Sequence, residues 1–67
     1  MINIKVNNTF HKIQPNSTVQ MVLTTLAIPV NGIAVAINQD IITNTDWDKK
    51  ILIDGDQILV ITATQGG

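Results

Sequence analysis

Two consecutive glycines, Gly66 and Gly67, stand at the last two positions of this 67-residue sequence. Because glycine has no Cβ, such a segment can enter a narrow cleft, and its carbonyl carbon is unhindered toward a nucleophile. We therefore predict that the terminal carboxylate of Gly67 is the reacting group, and that the tail with Gly66 and Gln65 enters a cleft of whatever protein acts on it. The alternative interpretation is an unselected or cloning-derived chain end.

Elsewhere the residue types and spacings do not match a catalytic or metal site. His11 has no cysteine or paired carboxylate beside it, and Ser17 is better placed as a helix cap. The segment 54–56, Asp-Gly-Asp, is similar to the start of a calcium loop, but Ile58 and Val60 stand where further oxygen ligands are needed. No glycine-rich phosphate loop is present, so any nucleotide must be bound by a partner. We predict no metal, no cofactor and no enzymatic activity of the chain itself.

The composition narrows the class of protein. A net charge of −1 is too small to steer the chain toward nucleic acid or anionic lipid. The apolar stretches are far shorter than the roughly 20 residues of a membrane span, and the first residues lack the pattern of a signal peptide. The absence of cysteine fits a reducing compartment. We expect one soluble intracellular domain, residues 1–67, with a flexible tail at about residues 64–67.

The first 14 residues, which belong to the framework that must position the tail, are predicted to form a β-hairpin. Residues 1–7 alternate between apolar and polar side chains, as a half-buried strand requires. Asn7-Asn8 then predicts a turn, and residues 9–14 a second strand with Phe10 reaching the core. Phe10 and Ile13 have opposite parity, so either a bulge intervenes or one of them is partly exposed.

A helix follows the hairpin. Ser17 and Gln20 match a capping box, which places the helix start at Ser17 or Thr18, and Pro29 closes the segment. The spacing of the apolar residues predicts one stripe that lies across a sheet. This stripe consists of Val19, Val22, Leu23 and Leu26.

The second half of the sequence predicts further strands. A turn at residues 31–32 leads to a strand at 33–37, and a tight connection at 38–40 leads to Ile41-Ile42. Trp47 is expected to pin the polar loop that follows. We predict a short strand at 51–53, a turn at Asp54-Gly55 and a last strand at 57–63. The fold class is therefore α+β, a mixed sheet with one main helix across one face.

An apolar surface is predicted on the other face of the sheet. The last strand is apolar at both parities, so if Ile58 and Val60 point inward, a second set points outward. A contact surface for a partner is favoured over a face covered by the loop in the 40s. The predicted partner-binding residues are Ala34, Ala36, Leu59, Ile61 and Ala63.

The segment 32–38, then Trp47, the segment 54–58 and finally Gly66-Gly67 together resemble the ThiS family of sulfur carrier proteins of thiamine biosynthesis. The resemblance covers nearly the whole chain. It implies a ubiquitin-like β-grasp fold, in which the last strand lies between the first and the third.

The resemblance also implies a function as a protein co-substrate. A ThiF-like adenylating enzyme, which binds ATP and Mg, would adenylate the carboxylate of Gly67, and a sulfur-donor enzyme would convert it to a thiocarboxylate. A ThiG-like thiazole synthase would receive the sulfur for the thiazole moiety of thiamine. The compartment would be the cytoplasm or the plastid stroma.

Two alternatives remain at this point. The small subunit of molybdopterin synthase is a related sulfur carrier, but its chains are longer and often carry a proline pair before the terminal glycines, where this chain has Ala63-Thr64-Gln65. A β-grasp interaction module without a reacting tail is the second alternative. Such a module would tolerate residues added after Gly67.

Overall fold

The computed structural model describes residues 1–62 as a five-stranded sheet with one helix against one face. Its elements are β1 (Ile2–Val6), β2 (Thr9–Ile13), α1 (Val19–Thr25), β3 (Ile33–Ile37), β4 (Asp40–Ile42), a 3₁₀ turn (Asn44–Asp46) and β5 (Gln57–Thr62).

The strands lie in the order β2-β1-β5-β3-β4. Strand β5 pairs in parallel with β1 and antiparallel with β3, while the two hairpin pairs, β1–β2 and β3–β4, are antiparallel. The predicted mixed sheet is confirmed, and so is the position of the last strand between the first and the third. The described part of the chain thus ends on a central strand of the sheet rather than on an edge strand.

Both hairpins turn on two residues with left-handed backbone. Asn7 and Asn8 have φ of 47° and 71°, and Asn38 and Gln39 have φ of 49° and 76°. Positive φ at both central residues is the geometry of a type I′ turn, whose twist matches that of the flanking strands. The prediction of a turn at Asn7-Asn8 is confirmed.

The predicted place of Phe10 in the core is wrong. The β1–β2 register is one-to-one from Ile2↔Ile13 to Val6↔Thr9, without a bulge. Ile13 therefore shares the inner face with the buried Ile4 and Val6, and Phe10 falls on the outer face with 74% of its surface exposed.

The ends of helix α1 differ from the predicted ones. Thr18, not Ser17, is the N-cap, and its hydroxyl accepts a hydrogen bond from the Met21 N–H at 3.2 Å. The buried Ser17 hydroxyl instead donates to the Gln14 carbonyl at 2.7 Å. At the other end, Ala27 with φ of 56° terminates the helix before Pro29 is reached.

The core lies between α1 and the inner face of the sheet. The core side chains come from the strands, the helix and the connections between them. Trp47, in the loop of the 40s, covers one end of the core. The Trp47 indole Nε1–H donates to the Ile42 carbonyl at 2.9 Å. The prediction that Trp47 pins this loop is confirmed. The largest fully buried side chains are those of Ile4, Leu23, Leu52, Val19 and Val35.

Residues 51–53 do not form the predicted strand. A single bridge between Thr18 and Ile51 is the only strand-like pairing described for this segment. Leu52 is buried, and its N–H donates to the Ser17 carbonyl at 2.8 Å, while Ile51 and Ile53 are exposed. The segment is thus an extended connection anchored by one core side chain.

The predicted turn at Asp54-Gly55 is present and is tied to β1. The Asn3 N–H donates to Oδ1 of Asp54 at 2.7 Å, and the Gly55 N–H donates to the Asn3 carbonyl at 2.8 Å. Gly55 has φ of 91°, which a residue with a Cβ rarely adopts. These bonds set the point from which β5 enters the sheet.

Candidate functional site

The outer face of the sheet carries an apolar patch that extends over three of the five strands, β5, β3 and β4. Leu59 pairs with Ala36, and Ile61 pairs with Ala34, so the predicted patch residues of β5 and β3 lie side by side. Residues directly opposite each other share a face, and Ile58 of the same strand is buried on the helix side. We use the name outer patch for the described set Ala34, Ala36, Ile41, Leu59 and Ile61.

Exposure is uneven within the outer patch. Leu59 and Ile61 keep 50% and 45% of their surface exposed, whereas Ala36 is buried at 6% and Ala34 is half-buried. The small alanine side chains thus form a shallow depression between the larger side chains of the patch. Exposed aliphatic side chains around small ones make a surface on which a partner's side chains can pack.

Ile41 belongs to the outer patch although the sequence analysis did not include it. It lies opposite Ala36 on the edge strand β4, and 65% of its surface is exposed. The signal in the sequence was the length of the turn. A two-residue turn at Asn38-Gln39 fixes the β3–β4 register and with it the face of Ile41.

The loop in the 40s does not cover the outer patch. Its anchor Trp47 is buried in the core between the helix and the sheet, and the Trp47 carbonyl accepts a hydrogen bond from the N–H of Gln20 in α1 at 2.9 Å. The loop therefore packs on the helix side, and the covered-face alternative does not hold for Leu59, Ile61 and Ile41.

Two asparagine side chains hold β5 from both sides. Oδ1 of Asn7 accepts from the Val60 N–H at 2.8 Å, and Nδ2 of Asn7 donates to the Val60 carbonyl at 3.1 Å. On the other side, Oδ1 of Asn38 accepts from the Gln57 N–H at 3.1 Å. Nδ2 of Asn38 donates to the buried carboxylate of Asp56 at 3.0 Å. Both turns thereby fix the backbone of the strand that leads to the chain end.

The predicted reacting end lies outside the described residues. This applies to Gly67, Gly66 and Gln65, to the patch residue Ala63 and to the predicted tail at 64–67. The described chain ends at Thr62, which pairs with Ile33 in the sheet.

The described residues form neither a metal site nor a membrane-spanning helix. Within residues 1–62, no three acidic or histidine side chains converge on a position for a metal ion. Both oxygens of Asp56 accept hydrogen bonds, one from Asn38 and one from the Ile53 N–H at 2.9 Å. No helix of the described part is long and apolar enough to span a membrane.

The sheet order, the single helix and the central last strand define a ubiquitin-like β-grasp protein with an apolar outer face. The family model described as the ThiS family matches residues 4–67, and the chain belongs to this family.

Two known proteins are similar to the chain. The sulfur carrier protein ThiS of Escherichia coli (strain K12) is 47% identical over 36 residues, which are 54% of this chain and 54% of that protein. The matched region thus spans about half the length of this relative. The crystal structure of the thiamine biosynthesis protein ThiS from Geobacter metallireducens superposes with a TM-score of 0.85. It is 20% identical and covers 98% of this chain and 100% of that one, so it supports the fold.

Proposed function

We propose that this protein is a sulfur carrier whose Gly67 carboxylate is adenylated and then converted to a thiocarboxylate for synthesis of the thiazole moiety of thiamine. The observation that carries the proposal is the family match, which extends from residue 4 through Gly66 to Gly67. The name of the Escherichia coli relative, a sulfur carrier protein, supports the same function.

The proposed chemistry begins at the chain end. An α-carboxylate is ionised at neutral pH, and its oxygen attacks the α-phosphorus of ATP, with pyrophosphate as the leaving group. The resulting acyl-adenylate is attacked at the carbonyl carbon of Gly67 by the sulfur of a donor, and AMP leaves. When this sulfur is hydrosulfide, loss of its proton leaves the chain with a terminal thiocarboxylate. When it is the outer sulfur of a donor persulfide, a second thiol of the donor attacks the resulting acyl disulfide, which forms a donor disulfide and releases the thiocarboxylate.

The catalytic groups for these steps belong to partners in this proposal. A ThiF-like adenylating enzyme binds ATP and Mg, a sulfur-donor enzyme supplies the sulfur, and a ThiG-like thiazole synthase receives it. The carrier is a recycled co-substrate and not an enzyme. We propose the cytoplasm as its compartment, since the relative named above is bacterial. The plastid stroma is the alternative compartment.

The outer patch is the docking surface in this proposal. Its exposed members Leu59 and Ile61 lie on β5, the last described strand before Gly67 in the sequence, so a partner bound there would contact the strand that precedes the reacting residue. Binding through apolar burial does not require a large net charge on the carrier. This agrees with the net charge of −1.

Intact mass tests the proposal. The protein is incubated with a ThiF-type enzyme, Mg-ATP and a sulfide source, and fragmentation then locates any change. Replacement of one oxygen by sulfur, confined to Gly67, is the expected result. An unchanged mass, with an enzyme that is active on its own carrier, would overturn the proposal.

A variant without Gly67 is the matched control. It should show no exchange, and its thermal unfolding midpoint should equal that of the full chain, so that the loss is assigned to chemistry. Charging of a chain extended beyond Gly67 would also contradict the proposal.

A further inference from the structure

A groove of about 430 Å³ adjoins the outer patch at the end of the sheet where both hairpin turns lie. Leu59 and Ala36 form its apolar wall and are members of the outer patch at the same time. Its polar wall includes Lys5 of β1 and the carboxamide side chains of Asn8, Gln39 and Gln57. A partner that covers the outer patch therefore also covers this groove.

The groove has a single basic lining residue, and the buried carboxylate of Asp56 lies behind its Asn38. Lys5 is the one charged residue among its described lining residues, and none of them is acidic. Nζ of Lys5 lies 5.6 Å from the centre of the Phe10 ring, directly across the β1–β2 pair. A cation–π contact of this kind restricts the lysine side chain and holds its ammonium group toward β2, so a carboxylate bound in the groove would compete with this exposed contact.

Three further lining residues carry amide N–H donors that take part in none of the side-chain hydrogen bonds described for residues 1–62. The carboxamides of Asn7 and Asn38 are used to hold β5, whereas Asn8, Gln39 and Gln57 are exposed at the rim. An ammonium group together with amide N–H donors suits a carboxylate, and hydrogen bonds to an ionised acceptor are stronger than those between neutral groups.

We infer that this groove receives an aspartate or glutamate side chain of the activating enzyme, while apolar side chains beside that residue cover the outer patch. The inference rests on the proposed function. One charge pair next to an apolar contact would fix the register of docking, since a carboxylate placed on Leu59 or Ile61 would be desolvated without a partner.

The experiment compares two lysines on one face of the sheet. Lys12 pairs with Asn3 and so lies on the outer face like Lys5, but it is not part of the groove. Steady-state adenylation by a ThiF-type enzyme is measured for the wild type, Lys5→Gln and Lys12→Gln, with unfolding midpoints recorded for all three proteins. We expect Lys5→Gln to raise KM about fivefold with kcat unchanged, as for a partly desolvated ion pair, and Lys12→Gln to leave KM unchanged.

Salt and a conservative variant separate charge from packing. KM of the wild type should rise with KCl concentration, KM of Lys5→Gln should rise less, and Lys5→Arg should restore a KM near that of the wild type. Equal KM values for Lys5→Gln and Lys12→Gln, with a wild type that is adenylated normally, would overturn the inference about the groove. The proposed function would remain intact. A wild type that is not adenylated at all would overturn both.

A second copy of the chain is the competing occupant. If sedimentation shows a dimer of the wild type that Lys5→Gln abolishes while KM is unchanged, the groove belongs to self-association and the inference fails.

Discussion

The side-chain carboxamide of Asn7 is paired with both backbone polar groups of Val60, at 2.8 Å for the Val60 N–H and 3.1 Å for the Val60 carbonyl. Strand β1 ends at Val6, so its backbone no longer reaches β5 at this level. The asparagine side chain takes over the missing pairing, and β5 remains held on this edge shortly before Thr62.

This relationship predicts a difference between two neighbouring asparagines. Asn7→Gly keeps the left-handed turn but removes both hydrogen bonds to Val60, so the free energy of unfolding should fall by about 1 kcal/mol. Asn8→Gly should leave it unchanged or raise it slightly, because Asn-Gly is the preferred type I′ pair. Urea denaturation measures both. If the two variants have equal midpoints, the carboxamide of Asn7 does not stabilise β5.

A charge in the outer patch should disturb docking without unfolding the protein. Leu59→Lys and Ile41→Lys should each weaken binding to the activating enzyme by about tenfold or more, because the ammonium group would be desolvated in an apolar contact. Ile53→Lys is the control, since Ile53 is equally apolar and exposed but lies outside the patch. Titration calorimetry gives the three affinities. Equal weakening by Ile53→Lys would place the contact elsewhere.

Phe10 and Ile13 should differ in what they contribute to stability. Ile13→Ala leaves a cavity in the core and should lower the free energy of unfolding by about 2 to 4 kcal/mol. Phe10→Ala removes a side chain that is mostly in water and should cost less than about 1 kcal/mol, including its contact with Lys5. Thermal unfolding followed by Trp47 fluorescence compares them. A larger loss for Phe10→Ala would contradict the register of the β1–β2 hairpin.

The end of helix α1 offers a stabilising substitution. The Ile28 N–H donates to the Leu23 carbonyl at 2.9 Å and the Ala27 N–H to the Thr24 carbonyl at 3.1 Å, which is the Schellman arrangement with alanine where glycine is usual. Ala27→Gly should raise the free energy of unfolding by about 0.5 to 1 kcal/mol, since alanine is strained at φ of 56°.

Thr25→Gly is the matched control for that substitution. Thr25 is exposed and is the last residue of α1, where the backbone is still helical and glycine costs backbone entropy, so the free energy of unfolding should fall. Urea denaturation of both variants tests the argument. Destabilisation by Ala27→Gly would mean that the left-handed conformation is not maintained in solution.

Much of the fold could be read from local patterns. Alternation in β1 and β3, the apolar stripe of α1 and the turn residues Asn7-Asn8 and Asp54-Gly55 all have their expected places. These features are local, because side-chain period and backbone φ preference act within a few residues. The described patch residues Ala34, Ala36, Leu59 and Ile61 lie on the predicted face for the same reason, while Ala63 lies outside the described residues.

Two of the errors, those at the helix cap and at Phe10, arose where two local interpretations were equally good. Ser17 and Thr18 are both suitable N-caps, and the choice followed from the connection at 50–52, whose backbone pairs with residues 17–19. Phe10 and Ile13 both suit a core, and only the register against β1 decides between them.

The sequence by itself determined the five strands of the sheet, although it also predicted a strand at 51–53 that is absent, and it determined the helix and the resemblance to the ThiS family. Each of these depends on neighbouring residues or on residue order. The resemblance also implied that β5 lies between β1 and β3, whereas only the tertiary structure decided that Ile41 joins the outer patch and that Lys5 lines a groove beside it. The physical reason is that these relationships join residues far apart in the chain, and the pairing that brings them together is chosen by the packing of the whole core.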